Sequence, residues 1–135
     1  MKPPSQPNAG PEPVPKPVRW VGDSKNDLSA FPNDVKLQIG GALWDAQVGL
    51  KSPSAKPLKG FGGGGVLEVV ANFDGNAFRT VYTVRFAEAV YVLHAFQTKS
   101  RRGIATPKGE LDLIAARLVR AKEDYAQWLR SRSLQ

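Results

Sequence analysis

Cysteine is absent from this chain of 135 residues, so neither a disulfide framework nor a thiolate metal site is available. Histidine occurs once, as His94. Zinc takes several His or Cys ligands, so no metal is expected, and no other cofactor motif stands out. No apolar run approaches the roughly 18 unbroken residues of a membrane-spanning helix, and no membrane partner is expected. The first residues are prolines rather than a charged patch followed by an apolar stretch. That does not read as a secretory signal, and the cytosol is the expected compartment. Acidic residues are scarce: 12 Asp and Glu stand against 19 Lys and Arg, a formal charge of +7. Such an excess favours a polyanionic partner, whether RNA, DNA or an acidic protein. A basic surface that serves only solubility is the plainer alternative.

Seven of the eleven prolines fall in residues 1–17. A segment this poor in backbone donors and apolar side chains builds no core. It reads as a disordered or polyproline-II tail ahead of one domain over 18–135. Its Pro4-Ser5-Gln6-Pro7 has the PxxP form, although a spacer explains it as well.

Val18–Val21 has strand-type residues, and 24–31 suits a short helical turn. Pro32 suits a helix start, and Val35, Ile39, Ala42, Leu43, Ala46 and Leu50 then recur at helical spacing. Gly40-Gly41 inside this helix weakens it and permits close packing against a neighbour. Residues 51–65, with Lys51, Lys56, Lys59 and a run of glycines, read as a flexible connection. No Gly-Lys-Ser/Thr follows the run, so it is not a P-loop. Val66–Asn72, Phe78–Phe86 and Val90–Phe96 read as three strands. Asp74-Gly75-Asn76 marks a hairpin, and the set forms an antiparallel meander. Thr106 as N-cap and Pro107 at the first helical position open a last helix that runs to about residue 130. The order β-α-α-β-β-β-α defines an α+β fold.

The cations are unevenly placed. Residues 97–135 hold nine Lys and Arg against four Asp and Glu, so this stretch supplies +5 of the +7. Arg79 and Arg85 are six apart on one strand, which sets them on one face of a regular sheet. Tyr82 lies at odd spacing from Arg79 and therefore points to the opposite face unless a bulge intervenes. His94 shares a face with Phe96. Arg, His and Tyr beside the basic loop of Lys99, Arg101 and Arg102 are suited to holding a phosphate and stacking a base. Solvated charges on the open face of a half-covered sheet are the alternative.

Five motifs resemble a known family when read in order. They are Ala42-Leu43-Trp44-Asp45-Ala46-Gln47-Val48-Gly49; Pro57-Leu58-Lys59-Gly60-Phe61-Gly62-Gly63 with Gly65–Val69; and Phe78–Phe86. Tyr91–Gln97 with Lys99–Ile104 follows, and then Thr106-Pro107-Lys108 with Glu110 and Asp112–Ile114. The chain resembles the phage-derived HigB-like toxins of the RelE/ParE superfamily, which belong to type II toxin–antitoxin systems. The pattern is departed from at Val70 and Thr98, where relatives carry basic residues. The resemblance implies a RelE-like fold and a metal-independent endoribonuclease that cuts mRNA on the ribosome and inhibits translation. It also implies a helix-turn-helix HigA-like antitoxin as partner, in a hetero-oligomer.

Metal-free cleavage uses the neighbouring 2′-hydroxyl as nucleophile. In that chemistry Arg79 and Arg85 bind the phosphate, His94 acts as base or acid, and Lys99 or Arg101 stabilises the leaving group. Lys59, Tyr82, Tyr91, Arg101 and Arg102 are the expected RNA contacts. Arg79→Ala is expected to abolish activity without unfolding the domain. A ParE-type gyrase inhibitor and a catalytically degenerate RNA-binding protein remain the alternatives.

Overall fold

A computed structural model describes residues 14–62, 64–99 and 105–134. Most of the proline-rich segment, including its PxxP, therefore lies outside the described residues, as do Arg101 and Arg102. The elements are β1 (Val18–Trp20), α1 (Ser24–Ser29), α2 (Asn33–Gln47), β2 (Ala55–Pro57), β3 (Val66–Phe73), β4 (Asn76–Thr83), β5 (Val90–Lys99) and α3 (Lys108–Ser133). The architecture is α+β. The strands form one sheet of order β1-β5-β4-β3-β2.

The meander β3-β4-β5 is antiparallel, as the sequence predicts. Its first turn is the two-residue Asp74-Gly75, with φ of 51° and 77°. Positive φ at both central residues is the hairpin geometry that matches strand twist. Two features depart from the sequence reading. The stretch read as a flexible connection contains β2, which pairs antiparallel with β3 from Ala55 opposite Val69 to Pro57 opposite Leu67. Three residues are too few to show a period of two, so only the partner strand reveals them. β1 pairs parallel with β5, which makes the sheet mixed.

Both faces of the sheet are covered. Val35, Ile39, Leu43 and Ala46 of α2 pack with Leu67, Val69, Phe78, Tyr82 and Val92. Ile114 and Ala121 of α3, with Leu118, Tyr125 and Trp128, pack on Val66, Val81, Tyr91 and Leu93. Alternation along β4 therefore sends Phe78 and Tyr82 toward α2, and Arg79 and Val81 toward α3. β5 slips by one residue, since Val81 opposes His94 while Tyr82 opposes Val92. Leu93 is the extra residue of this β-bulge, and it lets Leu93 and His94 both face α3. An all-alternating β5 would have turned His94 away from α3. The face expected to be half open is covered instead.

Candidate functional site

Arg79 projects from the middle of β4 beneath the start of α3 and is only 6% exposed. Its Nη1 donates to Glu68 Oε1 at 3.1 Å, and its Nε donates to Thr98 Oγ1 at 3.2 Å. Thr106 Oγ1 donates to the other carboxylate oxygen of Glu68 at 2.8 Å. Thr106 is thus bound to β3 and does not cap α3; Pro107 holds the cap position, with no side-chain cap bond. Arg79 and Glu68 line a depression of about 380 Å³ together with Lys56, Lys59, Thr106 and Leu111. Lys56 and Lys59 are exposed at its rim. Three cations against one carboxylate leave the lining net positive, as an anion site requires.

His94 lies next to this cluster, on the same face. Its Nε2 meets Glu110 Oε2, and Nδ1 lies 3.2 Å from Arg117 Nη1. A guanidinium only donates, so Nδ1 accepts and Nε2 carries the proton toward Glu110. The ring stacks on Phe96 at 4.7 Å and is 6% exposed. Arg117 Nη1 also donates to Leu93 O at 2.9 Å, which ties α3 to the bulge. Both ring nitrogens of His94 are occupied by these contacts. The arrangement makes His94 a clamp between α3 and β5. Glu110 is the more accessible member, with 35% of its side chain exposed.

The remaining predicted residues are dispersed. β4 ends at Thr83, so Arg85 lies beyond the strand and the even-spacing argument does not reach it. Arg85 is exposed, donates to Phe61 O, and lines a separate depression with Phe86, Leu118, Val119 and Lys122. Leu111 and Leu118 mark the two depressions on α3, and seven residues of helix place them about 10 Å apart. Arg79 and Arg85 thus share the α3 side but not one depression. Lys99 is exposed at the end of β5, opposite Asn76.

Neither tyrosine presents a face to a base. Tyr82 is 1% exposed within the α2 core, and burial, with the nearby Asp45 charge, pushes its hydroxyl up to about 12. Tyr91 is fully buried under α3 and donates to Asp124 Oδ2 at 2.6 Å. Burial, reinforced by the bond to Asp124, pushes Tyr91 well above the usual phenol range. Arg19 donates to the same Asp124 oxygen at 3.0 Å, and this bond holds the carboxyl below its usual range. The bonded Asp124 raises Arg19 in turn.

Residues 26–119 match the family described as phage derived protein Gp49-like (DUF891). The chain belongs to this Gp49-like family. All five motifs, from Ala42 to Ile114, lie inside the matched span. A comparison with curated proteins finds no match. Among solved structures, the chain is similar to one chain of the toxin–antitoxin complex RelBE2 from Mycobacterium tuberculosis. That likeness is 19% identical, has a TM-score of 0.42, and covers 64% of this chain and 95% of the other.

The sequence reading passed over Glu68, Thr106, Glu110 and Arg117 as site residues. Glu68 had one available signal: it is an acidic residue on a strand of valines, directly preceding Val69-Val70. A carboxylate inside such a strand demands a cation, and Arg79 on the adjacent strand is that cation. Arg117 has no comparable signal, because a helix of this composition offers several arginines at similar spacing.

Proposed function

We propose that this Gp49-like chain is the toxin of a toxin–antitoxin pair and cuts RNA in the Arg79 depression. The observation that carries the reading is the Arg79–Glu68–Thr106 cluster at the floor of a depression rimmed by Lys56 and Lys59. The motif resemblance to HigB-like toxins supports the toxin role.

In this reading an RNA phosphate enters between Lys59 and Arg79, whose charges stabilise the extra negative charge that forms on phosphorus. Glu68 accepts the proton of the adjacent 2′-hydroxyl as that oxygen attacks phosphorus. The bond from phosphorus to the 5′-oxygen breaks, and a lysine ammonium at the rim returns a proton to the leaving oxygen. The products are a 2′,3′-cyclic phosphate and a 5′-hydroxyl. His94 acts as a positioning residue for α3, and Arg85 and Lys99 contact RNA outside the reacting centre. Messenger RNA on the ribosome is the proposed substrate. An acidic antitoxin of the HigA-like, helix-turn-helix type covers the basic α3 side in the proposed complex.

Glu68→Gln tests this reading, because the amide keeps the shape and one acceptor yet cannot take the proton. Induced expression of the parent chain should arrest growth and leave RNA ends with 2′,3′-cyclic phosphate. The variant loses stability with the counter-charge of Arg79, so it is assayed well below its own melting temperature, where it should bind RNA but cleave roughly 10²–10⁴-fold more slowly. Growth arrest with intact RNA and DNA damage would instead indicate a gyrase target. Unchanged cleavage by Glu68→Gln would remove Glu68 from the chemistry.

A further inference from the structure

The outward face of α2 is apolar and has no partner among the described residues. Val35, Ile39, Ala42, Leu43 and Ala46 point into the core. The opposite side carries Leu37, Gly40, Gly41 and Trp44, with Leu37 76% and Trp44 52% exposed. A Cβ built on Gly40 or Gly41 meets no atom within 4 Å. The close packing that this glycine pair permits is therefore not used among the described residues. Glycine in a helix interior costs stability relative to almost any other residue, and nothing among the described residues offsets that cost here.

We infer that this face packs against α2 of a second copy of the same chain, in an antiparallel crossing at the glycine pair. The helix is self-complementary about the point between Gly40 and Gly41. Leu37 and Trp44 lie at equal distances on either side, about 5 Å along the axis. A two-fold axis through that point places Leu37 of each copy against Trp44 of the other. Lys36 and Asp45 are also equidistant, about 7 Å out, and lie on opposite flanks of the stripe. At the common helix crossing of about −50° these flanks converge, so each Lys36 approaches the partner's Asp45. Among the described residues, Lys36 Nζ donates to the carbonyl oxygen of Ser29 at 3.3 Å. An unrelated helix has no reason to match this spacing of apolar, small and oppositely charged residues, whereas a second copy matches it by symmetry. The contact is short and belongs among small interfaces, below about 1,200 Å². It lies on the far side of the sheet from Arg79, so both depressions stay open in the pair.

Sedimentation velocity of the full chain, from micromolar to near-millimolar concentration, reads the association directly. A concentration-dependent monomer–dimer equilibrium is expected. Gly40→Gln with Gly41→Gln should raise the melting temperature of the dilute monomer, since glutamine is the better helix former, yet weaken the dimer by at least about tenfold. Lys36→Glu and Asp45→Lys should each weaken it, and the two together should restore it. A chain that stays monomeric throughout overturns the inference, as do glutamine variants that associate as tightly as the parent. A double charge reversal that remains as weak as the single ones does the same.

Discussion

Removal of the Arg79 side chain perturbs the centre of the candidate site and tests whether its ion pair is truly withdrawn from water. The side chains of Arg79 and Glu68 are only 8% and 12% exposed. Arg79→Ala leaves Glu68 at the floor of the depression with Thr106 as its remaining side-chain partner among the described contacts. Breaking a buried pair from one side costs about 3–5 kcal/mol, because the surviving charge stays desolvated. Small domains are stable by only about 5–15 kcal/mol, so the loss is a large fraction of the total. For a chain of this size each kcal/mol lowers the melting temperature by roughly 3–5 °C, which gives a fall of about 10–20 °C.

Thermal and urea unfolding followed by circular dichroism at neutral pH measure the loss. Added salt should change it little, because a buried pair is poorly screened. Replacing both partners, as in Arg79→Met with Glu68→Leu, should recover most of the stability, since an apolar pair of similar volume is often neutral or better. An Arg79→Ala variant within about 1 kcal/mol of the parent would refute the reasoning, as only exposed ion pairs are worth so little. The structure thus revises the expectation that Arg79→Ala spares the fold. Lost activity in that variant, and in Glu68→Gln, which leaves the buried Arg79 charge without its carboxylate, is interpretable only well below the melting temperature.

Two further outcomes follow from the packing. The Tyr82 hydroxyl is buried with no hydrogen-bond partner among the described residues, and its pKa is raised to about 12. The folded state therefore holds this proton more tightly than the unfolded chain, whose phenol titrates near 10. The resulting stabilisation is complete below about pH 10 and is lost as pH rises through 12, a span on the order of a few kcal/mol. Tyr82→Phe should reduce the alkaline loss in urea melts from pH 9 to 12, leaving the part that the raised Tyr91 contributes, and should not destabilise the protein at pH 7; an unchanged alkaline transition would argue against it. Gly65 has φ of 88°, and a Cβ there would lie 2.6 Å from Arg85 Cγ. Gly65→Ala should cost about 1–3 kcal/mol in the same melts, with a loss near zero contradicting the strained turn.

The sequence by itself determined the elements and much of their order. Period-two runs and the Asp74-Gly75 turn specified the meander, because strand alternation and hairpin φ angles are local properties. The helical repeat of Val35, Ile39, Leu43 and Ala46 specified α2 and its inward face for the same reason. The odd spacing of Tyr82 from Arg79 correctly separated them onto opposite faces. Only the tertiary structure decided what depends on pairing between distant segments. β2 exists because β3 offers it an edge. The bulge at Leu93 fixes which way His94 points. Glu68 meets Arg79, and Thr106 meets Glu68, through contacts that span eleven or more residues of sequence. Arg79 and Arg85, joined by simple counting along one strand, are parted because β4 stops at Thr83. Local chemistry can be read along a chain, whereas burial and the choice of an ionic partner arise only when separate segments exclude water together.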